Sequence, residues 1–142
     1  MKIAVVMDPI SNIDFKKDST LLLIYEAQKR NHDVFYIESN NLFFDGKEAC
    51  ALSSKIKVKM DRENWFSLKD TNKIFLKDLD VVFMRQDPPF DMGYINNTYV
   101  LDSAEKGGVK IYNKPSALRN FNEKISILEY SKFCTETIIC LL

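Results

Sequence analysis

Glycine is scarce in this sequence, with four residues among 142. No GxGxxG or GxxxxGK[ST] spacing occurs, so there is little material for a loop that cradles phosphate on backbone amides. Histidine occurs once, as His32. A lone histidine between a helix end and a strand start leaves no zinc set and no Ser-His or Cys-His pair. The three cysteines, Cys50, Cys134 and Cys140, are odd in number and form no CxxC pair. That excludes a disulfide framework and leaves reduced, mostly buried thiols as the expectation. A charge surplus is also missing. Twenty basic and twenty acidic residues cancel, which gives no electrostatic case for nucleic acid or an anionic membrane as partner. The first apolar run, in "MKIAVVMDPI", is cut by Asp8 and Pro9. It is too short for a signal segment or a membrane span, so a cytoplasmic protein is expected.

What remains is a globular composition, 46% hydrophobic and 28% charged, in a chain long enough for one ordinary domain. "KIAVVMD" reads as a buried strand. A polar loop follows, and Asp18 or Ser19 then caps a helix through "TLLLIYEAQKR", which Asn31 stops in the left-handed region. "DVFYIES" is a second strand, and "LDVVFMR" and "VKIYNKP" read as further buried strands. Between them, "NLFF-DG-KEACAL" carries a hairpin signal at Asp45-Gly46. "SSKIKVKM" alternates Ile56, Val58 and Met60 with Lys55, Lys57 and Lys59, as a strand with one wet face does. Asp91 caps a helix through "MGYINNTYVLDSAEK" that stops at Gly107-Gly108. "SALRNFNEKISILEYSKF" is helical with a break near Asn122, and "TETIICLL" begins a strand. The pattern predicts an α/β fold: a Rossmann-like parallel sheet with helices on both faces and an inserted β-hairpin.

In such sheets ligands sit beyond the carboxyl ends of the strands. Three loops should therefore meet there: "MDPISNIDF", "RQDPPFD" and "NKPSALR". Arg85 is the sharpest candidate, because a guanidinium fork grips carboxylates bidentately and Pro88-Pro89 stiffen the turn that presents it. The alternative is an Arg85 ion pair with Asp87 or Asp91 that only ties down the loop. Asp8, Ser11 and Asn12 offer an acid, a hydroxyl and an amide suited to the amino and carboxylate ends of an amino-acid-like ligand. The same residue types also make loop and capping bonds everywhere. Lys16 and Lys17 precede a helix start, where an anion would be favoured, or else are solvated surface lysines. Trp65 and Phe66 read as packing or interface residues.

The stretches "VVMDPISNIDFKKDST", "FMRQDPPFD", "YNKPSALRNFNEK" and "NWFSL" together resemble the N-terminal region of the prokaryotic glutathione synthetases, in order and spacing, to about residue 139. That resemblance implies a cytoplasmic ATP-grasp ligase, commonly a homo-oligomer, joining γ-glutamylcysteine to glycine with ATP and Mg²⁺ through an acyl phosphate. It implies a substrate domain over residues 1–120 and the start of the ATP-grasp domain over 121–142. Asp8, Ser11, Asn12, Arg85 and Asp87 would bind substrate. Lys124, in "NEK", is the one position that matches a family ATP contact. No catalytic residue and no metal ligand carries over. Family members run to more than twice this length and "IICLL" departs from their polar continuation, as an early stop, a frameshift or a shortened sequence would each explain. The expectation is a substrate-binding piece that is inactive alone; a non-catalytic docking module and a remnant of a decayed gene are the alternatives.

Overall fold

The structure is a computed structural model that describes residues 1–122 and 124–140. It begins with β1 (Lys2–Met7), α1 (Ser19–Lys29) and β2 (Asp33–Glu38), and continues with β3 (Leu42–Asp45), β4 (Glu48–Val58) and β5 (Phe66–Phe75). After these come β6 (Val81–Met84), α2 (Met92–Lys106), β7 (Lys110–Tyr112) and α3 (Pro115–Asn120), then a 3₁₀ segment over Ser126–Phe133. The strands form one sheet in the order β3-β4-β2-β1-β6-β7, with β5 paired along β4. No helix among the described residues is long and apolar enough to cross a membrane.

β1 lies at the centre, parallel to β2 on one side and to β6 on the other. Its alternation sorts the core into two layers. Ile3, Val5 and Met7 pack with Leu21, Ile24 and Ala27 of α1. Ala4 and Val6 face the opposite way, against Val100, Leu101 and Ala104 of α2. Helices therefore cover both faces, as the α/β reading expects. Both helices begin where the sequence places them. Asp18 Oδ1 accepts from the amides of Thr20 and Leu21 at 2.6 and 3.0 Å, and Asp91 Oδ1 accepts from Tyr94 N at 2.8 Å. These bonds satisfy amides that the first helical turn leaves open. Asn31 ends the first helix at φ 58° and Gly108 follows the second at φ 100°.

The sheet is mixed, which corrects the parallel description. β2, β1, β6 and β7 are parallel, but β4 runs antiparallel to β2, β3 and β5. The hairpin at Asp45-Gly46 is present, with Gly46 at φ 61°. Its second arm continues unbroken through Ser53 and Ser54 to Val58, so the two strands expected there are one. Met60 lies beyond it and is exposed. β5 has no counterpart in the sequence reading. Its residues Ser67–Lys73 are all exposed, so no apolar alternation marks it. β7 was expected to be buried, but it is the sheet's edge and only Ile111 within it is buried.

The tail differs as well. The chain breaks after α3 at Phe121–Asn122, as expected, but the following turn is 3₁₀ and buries no residue. Thr135–Cys140 form no strand, and Ile138 is 86% exposed; Leu141 and Leu142 of that expected strand lie outside the described residues. Of the three free thiols only Cys50 is buried, while Cys134 is half-buried and Cys140 exposed. Cys50 lies within β4, level with Phe75 of β5 across the ladder.

Asp91→Ala is expected to destabilise the chain by about 1 kcal/mol in a urea titration, and Asp91→Asn by only a few tenths, because asparagine still accepts the Tyr94 amide bond. Equal losses in the two variants would trace the effect to charge at the helix start rather than to the cap.

Candidate functional site

The register between β1 and β6 decides what meets at their carboxyl ends. Val6 stands beside Met84, and the Arg85 amide donates to the Val6 carbonyl at 2.7 Å. Two residues on, the Asp87 amide donates to Asp8 Oδ2 at 2.8 Å. The loops after β1 and β6 are thus joined by a charge-assisted bond.

Side-chain alternation continues past the end of β6. Val81 and Phe83 pack with the α1 layer, and Val82 and Met84 with the α2 layer. Arg85 and Asp87 fall in phase with Phe83 and turn toward α1. Two neighbouring clefts open there. One, of about 350 Å³, is lined by Asp8, Asn12, Ile13, Asp14, Lys17, Asp18 and Asp87. The other, of about 340 Å³, is lined by Ser19, Leu23, Phe83, Arg85, Tyr112 and Asn113. The third expected loop therefore arrives too, through Tyr112 and Asn113 at the end of β7.

Arg85 is half-buried, and its Nε and Nη2 donate to Thr20 Oγ1 and Ser19 Oγ at 3.1 and 3.0 Å. Among the described residues no carboxylate lies within ion-pair distance of it. The loop-tying pair with Asp87 or Asp91 is not formed. Asp91 serves as a helix cap, and Asp87 lines the other cleft. Two neutral hydroxyls hold the guanidinium without neutralising it, so its charge is available to an incoming anion. Next door, four carboxylates stand against Lys17, which suits an ammonium.

The structure brings together Asp8, Asn12 and Asp87, and sets Arg85 beside them. Ser11 stays outside the clefts: it is exposed, and its Oγ donates to Asn12 Oδ1 at 3.1 Å. Lys17 joins the acidic cleft, whereas Lys16 only donates its amide to Asp14 Oδ1. Ser19, Thr20, Tyr112 and Asn113 were not picked out from sequence as site residues. Strand alternation could have found Tyr112, since it faces opposite Ile111 and toward Phe83, whose ring centre is 6.0 Å away. Trp65 and Phe66 pack as expected, with each other and with Phe15, on the α1 layer.

Lys124 lies apart from these clefts. With Pro88, Phe90, Tyr94, Leu118, Phe121 and Asn122 it lines a third, largely apolar cleft of about 320 Å³. Its amide donates to Asn122 Oδ1 at 2.9 Å. Burial pushes the Tyr94 phenol above its ordinary pKa, and the Asp87 and Asp8 carboxylates push the same way. Among the described residues no group of three or more His, Cys, Asp or Glu side chains is arranged to hold a metal ion.

The loop after β1 is anchored from below. Tyr36 Oη accepts from the Ile10 amide at 3.1 Å and donates to Glu38 Oε1 at 2.9 Å. Burial drives the Tyr36 pKa far up, with Glu38 and Asp8 adding to the rise. The folded state thus favours the protonated phenol, while an unfolded tyrosine ionises near pH ~10. The resulting stability is fully present below that pH and is lost as pH climbs toward the raised folded value. Tyr36→Phe should be less stable at neutral pH, yet lose stability less steeply over roughly pH 10–12, as followed by thermal melts. Parallel curves would show that Tyr36 does not carry the alkaline transition.

Comparison with known proteins gives concordant findings. The family model for the N-terminal domain of prokaryotic glutathione synthetase matches residues 1–119. The chain is 45% identical over 139 residues to the glutathione synthetase of Wigglesworthia glossinidia brevipalpis, covering 98% of this chain and 44% of that protein. It is 42% identical over the same length to the glutathione synthetase of Escherichia coli strain K12, and 41% identical to that of Buchnera aphidicola subsp. Schizaphis graminum. It spans less than half the length of each.

Proposed function

The chain belongs to the N-terminal domain family of the prokaryotic glutathione synthetases, and we propose that it forms the γ-glutamylcysteine-binding side of such a ligase. In this reading residues 1–120 are the substrate domain, and residues from 121 onward open the ATP-grasp region. The buried core supports that division, since the 3₁₀ segment Ser126–Phe133 contributes no buried residue to it. A cytoplasmic homo-oligomer is the corresponding setting.

One observation carries the reading: among the described residues Arg85 is held by two hydroxyls and has no carboxylate partner, and it stands beside a cleft of four carboxylates. γ-Glutamylcysteine bears carboxylates and one ammonium, so the two clefts match its two kinds of charge. The guanidinium fork takes a carboxylate bidentately, and Asp8 and Asp87 take the ammonium. Binding in this way orients the peptide at the strand ends, where a second reactant can approach it.

The described residues do not form a site that fits Mg²⁺-ATP. In the acidic cleft Asp18 caps α1 and one oxygen of Asp8 accepts the Asp87 amide, which leaves carboxylate oxygens for an ammonium but, among the described residues, no set of three arranged to hold a metal ion. No step of nucleotide chemistry is assigned to them. In the family, ATP phosphorylates the cysteinyl carboxylate and glycine's amine displaces phosphate. Lys124 is the one residue here that the resemblance places near that nucleotide.

Two measurements test the proposal. γ-Glutamylcysteine titrated into the chain and followed by NMR, which reaches weak affinities, should perturb the Asp8–Asp18 and Arg85–Asp87 amides. Arg85→Ala should weaken binding by roughly 1.5–3 kcal/mol, and Arg85→Lys should weaken it less, since charge survives and the fork does not. Unchanged affinity with a lowered melting temperature would reduce the arginine to a clamp on the α1 start. In the second measurement, the pure chain should show no ATP-dependent joining of γ-glutamylcysteine to glycine. Turnover above a no-enzyme control would place the catalytic groups within these residues.

A further inference from the structure

The loop that carries Arg85 and Asp87 has few bonds of its own. Pro88 and Pro89 have no amide hydrogen to give, and Gln86–Phe90 lie outside any helix or strand. Three consecutive residues hold the loop, each to a different element. Arg85 reaches the hydroxyls of Ser19 and Thr20 on α1, and the Asp87 amide reaches Asp8 after β1. Gln86 points the other way, toward the α2 layer, as alternation along an extended backbone requires. There its Oε1 accepts from Asn97 Nδ2 at 2.9 Å.

Asn97 lies on α2 and is only 9% exposed. The same Nδ2 donates to the Ser39 carbonyl at 2.8 Å, just past the end of β2. One amide group therefore latches two strand-end loops, and both of its hydrogens are used. It is a buried polar residue on a helix face whose neighbours Val100, Leu101 and Ala104 are apolar. Nothing about packing calls for an amide there, whereas two acceptors fixed at hydrogen-bond distance do.

We propose that Asn97 is the positioning residue of this site: by holding Gln86 on the α2 side of the strand end, it fixes Arg85 and Asp87 on the α1 side, facing the clefts. The constraint is geometric. Successive side chains of an extended segment point to opposite faces, so pinning the middle one sets the direction of both neighbours. Without the latch the segment can rotate about its axis, and the guanidinium and the Asp87 amide lose their alignment together. The role rests on the substrate reading above for its consequence in binding, but not for its geometry.

The test uses the full chain and separates the two. Gln86→Ala removes the acceptor at a half-buried position, Gln86→Glu keeps an acceptor at the same place, and Asn97→Ala removes the donor. Two signals report on the loop without any ligand: hydrogen-exchange protection of the Asp87 amide, and the Nε–H resonance of Arg85. Both should be lost or shifted in Gln86→Ala and Asn97→Ala and retained in Gln86→Glu. γ-Glutamylcysteine binding should weaken by roughly three- to tenfold in the two alanine variants and stay near wild type in Gln86→Glu. The double alanine variant should be no worse than the poorer single one, because both break one latch. Wild-type Asp87 protection and an unshifted Arg85 resonance in Gln86→Ala would overturn the proposal, whatever Asn97→Ala does to folding. If both signals respond as expected but the wild-type chain itself does not bind γ-glutamylcysteine, the latch stands and the substrate reading falls.

Discussion

The two-sided burial of β1 is the constraint on which the rest depends. Ala4, Val5 and Val6 are fully buried, which is possible only with a strand on each edge and a helix layer on each face. Once β6 pairs in parallel beside it, with Val6 level with Met84, the next residues of both strands emerge at the same height. Asp8 and Asp87 then fall within one hydrogen bond of each other. The site is thus a consequence of register. A slip of one residue would turn Arg85 toward α2 and put Gln86 in the clefts.

Charge is sorted on a fine scale at this edge of the sheet. The chain as a whole is neutral, yet one cleft gathers four aspartates and its neighbour holds an arginine supported by neutral hydroxyls. The sorting follows from the elements that deliver each group. Asp8 comes from a strand end, Asp14 from a turn and Asp18 from a helix cap, while Arg85 and Asp87 lie on one side of an extended segment. Elsewhere charge is handled differently. Arg119 of α3 donates to Thr98 Oγ1 of α2 and pairs with Asp102, in a half-buried network that docks the short helix. Exposed pairs such as Lys29–Glu26 and Lys77–Glu48 contribute little by comparison.

The elements read correctly from sequence are those whose signals are local. Asp18 and Asp91 cap helices through their own side chains, Asn31 and Gly46 take positive φ by intrinsic preference, and β1 and β2 are apolar runs bounded by turn residues. β5 escaped because it is paired but hardly buried. Thr71 beside Ser54 and Lys73 beside Leu52 satisfy a backbone ladder without an apolar face to announce it. The antiparallel direction of β4 and the edge position of β7 are likewise matters of strand order, which a linear pattern does not encode.

For the site, sequence determined the ingredients: an arginine at a strand end, a rigid diproline after it, an Asp-Pro turn after the first strand, and the family motifs that contain them. These are covalent neighbours, and their chemistry does not depend on distant residues. Tertiary structure decided their partners. Arg85 meets Ser19 and Thr20, 66 and 65 residues away, instead of the nearby Asp87. Gln86 meets Asn97 of α2, on the opposite face from Arg85. Ser11, adjacent in sequence to Asn12, stays outside the clefts. The physical reason is that a side chain's direction follows from alternation and register, and register is set by which apolar residues must be buried together, a condition satisfied only when the whole sheet assembles.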